Sequence, residues 1–138
     1  MSALLLDASI WVAAKDGEDP NREVASALAL SADPVAALDL TVYEVANVVG
    51  ARNRRPKEAA NLCRLIVGRC RDRLVAVDAE LIHKAIDVAA EFDLTAYDAA
   101  YVAAARRHGW TLVSTDIADL VSKGLAVTPD AADYPLSG

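Results

Sequence analysis

Four acidic residues stand where carboxylates can do chemistry. Asp7 closes the apolar run in LLLDASIW, and Asp116 follows another in TLVSTD. Glu44 and Asp98 lie in the first turns of helical stretches, in LTVYEVANVV and LTAYDAAYVAAA. The residues behind these two acids are almost uncharged, so both helices must be buried and their acids are drawn toward the interior. Taken singly, each acid is an ordinary helix-start residue. Thr41-x-x-Glu44 and Thr95-x-x-Asp98 have capping-box spacing, and Asp7, Ser9 and Asp116 suit N-caps.

Gathered together, the four acids have a different meaning. Two carboxylates about 4 Å apart repel by about 4 kcal/mol at an effective dielectric near 20. A pocket holding four must protonate some members or bind cations. All-oxygen donors suit Mg²⁺ or Mn²⁺. The reaction that fits is phosphodiester hydrolysis, in which bound ions hold the phosphate, acidify water and stabilise the leaving oxygen. No thiolate or imidazole stands beside a serine, no G-x-S-x-G occurs, and no P-loop is present.

The elements that must bring these acids together are legible in outline. Leu4–Leu6, Val35–Leu38, Leu74–Val77 and Trp110–Ser114 read as strands, with Leu125–Val127 as a weaker one. Helical stretches run from Ser9 to Lys15, from Asp19-Pro20 to Ser31 and from Thr41 to about Asn53. Others run from Pro56 to Cys70, Ala79 to Phe92, Thr95 to His108 and Asp116 to Lys123, the last two stopped by Gly109 and Gly124. Strands alternate with helices and no Asn-Gly or Asp-Gly hairpin turn occurs, which predicts an α/β fold with a mostly parallel sheet. Such a sheet binds ligands in a crevice at the carboxyl ends of its strands, where Asp7 and Asp116 would lie.

Charge is unevenly spread. The 138-residue chain carries a net charge of −6, yet residues 52–73 hold eight Arg and Lys against two acids. Arg52, Arg54, Arg55 and Lys57 are therefore candidates for holding backbone phosphates beside the acidic crevice, the bland alternative being ordinary solvated arginines. Tyr43, Tyr97 and Tyr101 are candidates for stacking on bases, although tyrosine at helical spacing more often packs. His83 and His108 lie outside these motifs, as a surface residue and a helix-end residue. Cys63 and Cys70 on one helix would sit about 10 Å apart, too far for a disulfide with each other. No apolar run reaches the ~18–20 residues of a membrane span. MSALLLDAS lacks the basic start of a signal peptide. We therefore expect a cytoplasmic protein with no membrane partner.

At DASIWVA (7–13), TVYEVANVV (41–49), LTAYDAAYVAAA (94–105) and TLVSTD (111–116) the sequence resembles the PIN-domain family, and within it VapC-type toxins of bacterial toxin–antitoxin pairs. The ordered set covers nearly the whole chain. The resemblance implies a three-layer α/β/α sandwich over residues 1–130, followed by a loose tail at 131–138. It implies a Mg²⁺- or Mn²⁺-dependent endoribonuclease that cuts RNA, partnered by an antitoxin protein and assembled as a homodimer or toxin–antitoxin hetero-oligomer. Carried over by motif, Asp7, Glu44, Asp98 and Asp116 form the acidic site. Asp7 and Asp98 are the principal metal ligands, Asp116 serves a second ion, and Ser9 and Thr115 give hydrogen-bonding support. Asp119 competes with Asp116 for the inward position in STDIAD. The alternative is a catalytically silent PIN-like module that binds RNA or protein. A phosphorelay receiver fits poorly, because Asp7 stands alone after the first strand and Trp110–Asp116 contains no lysine.

Overall fold

The computed structural model describes residues 2–136, with the backbone alone for 133–136. Four short strands, β1 (Leu4–Leu6), β2 (Val35–Leu38), β3 (Leu74–Val75) and β4 (Thr111–Val113), form one sheet in the order β3-β2-β1-β4. Every pairing is parallel, with Leu5 between Ala36 and Leu112. Alternation along the strands divides the core in two. Leu4, Leu6, Val35, Ala37 and Val113 point to one face, and Leu5, Ala36, Leu38 and Leu112 to the other.

Helices cover both faces, giving the three layers expected. On the first lie α1 (Ala8–Lys15), α2 (Arg22–Leu30), α3 (Asp39–Val45) and α4 (Pro56–Cys70), which contribute Ile10, Trp11, Leu28, Val45 and Ile66 to the core. On the second lie α5 (Ala79–Phe92) and α6 (Ala96–His108). Residues Ala99–Ala105 of α6 are all buried. A helix apolar on every side must be enclosed, and its alanines let neighbouring backbones come close. Pro56 occupies the first position of α4 and Gly109 ends α6 in the left-handed conformation, at φ 69°.

Several boundaries differ from the sequence reading. Pro20 precedes α2 without starting it, because Asn21 is the N-cap. Thr41 does not open α3. That helix begins two residues earlier at Asp39, directly from β2, and passes at Ala46–Arg52 into a π-helical segment. The stretch after Asp116 is also π-helical, at Ile117–Val121. The strand expected over Leu125–Val127 is reduced to a single bridge between Val113 and Val127. Of the loose tail expected over 131–138, residues 131–136 are instead helical, within α7 (Pro129–Leu136), with Ala132 in the first core, and residues 137 and 138 lie outside those described. Ala132 ties this helix to the core. Cys63 and Cys70 are both free, and burial pushes the Cys70 thiol up to about 11, which leaves it unreactive.

Candidate active site

Sheet order fixes where a site can form. The chain leaves β1 toward β2 on one side, and β4 arrives beside β1 on the other, so the crevice opens at the carboxyl ends of β1 and β4. Asp7 is the first residue past β1, and its backbone N–H donates to Val113 O at 3.2 Å. Ser114, Thr115 and Asp116 follow β4. One hydroxyl joins the two strand ends. Ser9 Oγ donates to Asp7 Oδ1 and accepts from Thr115 N–H at 3.1 Å. Thr115 thus enters through its backbone, and its own hydroxyl makes no hydrogen bond among the described residues.

Asp116 caps the π-helical segment by accepting from Asp119 N–H at 3.0 Å, and its own N–H donates to the buried Ser114 Oγ. This turn carries Asp119 to the same place. Among the described residues, Asp98, Asp116 and Asp119 each offer a carboxylate oxygen, and these atoms lie within 4.8 Å of one another. Both acids of STDIAD therefore face the crevice, half-buried Asp116 together with exposed Asp119. Asp7 and Glu44 stand outside this tight group, but both feel the charge of Asp98. Asp98 is thus the common neighbour of all the other acids. Its helix begins at the crevice because Thr95 accepts from Asp98 N–H at 3.1 Å.

The electrostatics are those of crowded like charges in partial burial. Asp7 is 7% exposed. Burial raises its pKa from 3.8 to about 6, with the Asp98 charge adding to the rise and the hydroxyls of Ser114 and Ser9 opposing it. Burial also raises Glu44, against the pull of the Tyr101 hydroxyl. Asp98 is raised by burial and then by Asp116 and Asp119. Among the described residues no side-chain cation pairs with this group: the ion pairs are Arg55–Glu58, Lys84–Glu80 and Arg107–Asp78. A crowded set of carboxylates with oxygen donors only is the donor chemistry of a hard divalent cation, so the residues fit such an ion.

A PIN-domain family model matches residues 4–120. The chain belongs to the PIN-domain family. It is 32% identical over 117 residues to Ribonuclease VapC3 of Pyrobaculum aerophilum, covering 82% of this chain and 88% of that one. Its fold is similar to that of the VapC20 toxin of Mycobacterium tuberculosis, which is described as cleaving the sarcin–ricin loop. The TM-score is 0.75 at 18% identity, over 88% of this chain and 95% of that one. A toxin–antitoxin complex from Klebsiella pneumoniae gives 0.70 at 20% identity, over 92% and 98% of the two chains.

Several PIN-domain side chains have roles other than those expected. Tyr101 is 2% exposed and cannot stack on a base. Its hydroxyl binds Glu44 Oε1 at 2.6 Å and Thr41 Oγ1 at 2.7 Å. Tyr43 and Tyr97, at 76% and 60% exposed, are free to stack. Thr41 is not an N-cap: it sits in the first turn of α3 and accepts from Leu38 N–H at 3.0 Å. The sequence reading passed over Ser114 and Asp39. Ser114 is the polar residue closing an apolar strand, a position that could have marked it. Asp39 accepts from Val77 N–H at 3.2 Å and joins the ends of β2 and β3. Arg52, Arg54, Arg55 and Lys57 are exposed. Arg55 pairs with Glu58 and lines a groove of about 870 Å³ between α1 and α4, beside Val12, Val49, Leu62 and Leu65. That groove lies at the Lys15 end of α1, opposite the end that begins at Asp7.

Proposed function

We propose that this protein is the toxin of a toxin–antitoxin pair, an endoribonuclease that hydrolyses RNA phosphodiester bonds with Mg²⁺ or Mn²⁺. The observation that carries this reading is the convergence on Asp98. Three carboxylate oxygens lie within 4.8 Å on the sheet edge, and the Asp98 charge also reaches Asp7 and Glu44. Asp98, Asp116 and Asp119 would hold the cation, with Asp7 and Glu44 reaching it from α1 and α3. Bound there, the ion supplies positive charge for the scissile phosphate and makes water more acidic.

The chain's own residues do the rest. Ser9 and Ser114 fix Asp7 and the loop after β4, so the carboxylates are oriented before substrate arrives. One carboxylate of the cluster accepts the proton of the attacking water. Tyr43 and Tyr97, each adjacent in sequence to a site acid, receive unpaired bases, and Arg52, Arg54 and Lys57 hold backbone phosphates. An antitoxin segment would cover the groove between α1 and α4, where Val12, Val49, Leu62 and Leu65 are flanked by Lys15, Arg55 and Glu58. Exposed Ile82 and Ile86 on α5 are candidates for contact with a second copy.

The test is cleavage of RNA by the purified protein with Mg²⁺ or Mn²⁺, beside Asp98→Asn and Asp7→Asn. Loss of cleavage in both variants supports the reading. Equal cleavage by parent and variants rejects it. No cleavage together with no divalent-ion shift in Tm favours the silent binding module.

A further inference from the structure

Tyr101 lies on α6 three residues after Asp98, and Thr41 lies on α3 three residues before Glu44. Residues three apart share a helix face. Each helix therefore presents one carboxylate and one hydroxyl, and the two faces meet. Leu38 N–H reaches Thr41 Oγ1 at 3.0 Å, Thr41 Oγ1 reaches the Tyr101 hydroxyl at 2.7 Å, and that hydroxyl reaches Glu44 Oε1 at 2.6 Å.

Donor counting fixes the direction of this chain. A peptide N–H only donates, an ionised carboxylate only accepts, and each hydroxyl has one proton. Tyr101 spends its one proton on Glu44 and therefore accepts from Thr41, whose oxygen in turn accepts from Leu38 N–H. Thr41 is fully buried and Tyr101 nearly so, which leaves little room for water to replace either link. The other acids have different supports. Asp7 has Ser9, and Asp116 takes the Asp119 N–H. For Glu44, Tyr101 is the hydrogen-bond partner found among the described residues.

We propose that Tyr101, aligned by Thr41, is a positioning residue that clamps Glu44 through Oε1 and leaves Oε2 free for the divalent cation. This rests on the cation-dependent reading above. A free glutamate would give up side-chain entropy on meeting the ion. The clamp removes that freedom during folding, so the ion meets a carboxylate already in place.

The experiment measures Mn²⁺ binding from the electron paramagnetic resonance signal of the free ion. It compares the parent with Asp98→Asn, Tyr101→Phe, Thr41→Val, Thr41→Ser, Glu44→Gln and the Tyr101→Phe/Glu44→Gln double variant. Tyr101→Phe removes one oxygen and is expected to weaken Mn²⁺ binding about tenfold, the usual scale for a partner behind a metal ligand. Thr41→Val should follow it and Thr41→Ser should keep the parent affinity. In the Glu44→Gln background, Tyr101→Phe should add nothing. Should Tyr101→Phe fail to fold, the contrast between Thr41→Val and Thr41→Ser decides in its place. Unchanged Mn²⁺ affinity in Tyr101→Phe, alongside a loss in Asp98→Asn, overturns the clamp and leaves the proposed function standing. A parent that binds no Mn²⁺ overturns both.

Discussion

Two segments of this chain share a pattern and use it differently. Thr41-x-x-Glu44 and Thr95-x-x-Asp98 both place a threonine three residues before an acid. At Thr95 the pattern is local. The threonine is the N-cap, its side chain takes the Asp98 N–H, and the acid sits in the first turn of α6. At Thr41 it is tertiary. α3 starts directly from β2, so the threonine lies inside the helix and its hydroxyl turns to Leu38 and Tyr101. A three-residue difference in where the helix is capped, at Leu38 and not at Thr41, converts a cap into a link between layers. Spacing alone could not separate the two, because both put threonine and acid on one helix face.

The sharpest way to separate them is through the acids themselves. Asp98 touches every other acid of the cluster electrostatically, so Asp98→Asn should lower RNA cleavage by at least about a hundredfold. It should also abolish the rise in Tm expected of the parent on adding Mn²⁺. Glu44→Gln should be milder, about tenfold in Mn²⁺ affinity, because it lies outside the tight group. Equal losses in the two would mean that the segments contribute alike.

Asp7 tests the cost of crowding. Its folded pKa of about 6 lies above the ordinary 3.8. The folded state therefore holds more protons between those values, and stability falls as pH rises through that window. The penalty at neutral pH is up to about 3 kcal/mol. Asp7→Asn should accordingly raise the Tm of the ion-free protein at about pH 7.5, with the gain disappearing near pH 4. Thermal melts across that range check it, and a gain independent of pH would exclude titration of Asp7 as the cause.

The threonines come next. Thr95→Ala removes a cap and should cost about 1 kcal/mol of stability while leaving Mn²⁺ affinity within about twofold. Thr41→Val should do the reverse in emphasis, disturbing Mn²⁺ affinity more than a capping loss would. The smallest effect belongs to the basic segment. Replacing Arg52, Arg54 and Lys57 together by alanine should weaken RNA binding about threefold and flatten its salt dependence, as binding isotherms at two ionic strengths would show.

That basic segment shows why charge in a sequence is not charge available at a surface. Arg69 donates to Ala29 O and Ser31 O at 2.7 Å each, and Arg73 donates to Val35 O at 2.9 Å. Arg69 staples α4 to the approach to β2, and Arg73 staples the turn after α4 to the first residue of β2. The free positive charge lies toward the start of the segment. Nothing in the composition distinguishes these arginines, since their partners are main-chain carbonyls some forty residues away.

The sequence by itself determined the alternation of strands and helices, the parallel sheet it requires and the placement of Asp7 and Asp116 just past strands. These are local properties of apolar period and breaker residues, set by the chain's immediate neighbours. The tertiary structure alone decided which acids share a pocket. It brought Asp119 in beside Asp116 through a π-helical turn, and held Asp7 and Glu44 at the margin of the tight group. It also buried Tyr101 against Glu44 and turned the last described residues into a helix on the core. Such outcomes depend on which faces meet across layers, and that is settled by packing between residues far apart in the chain.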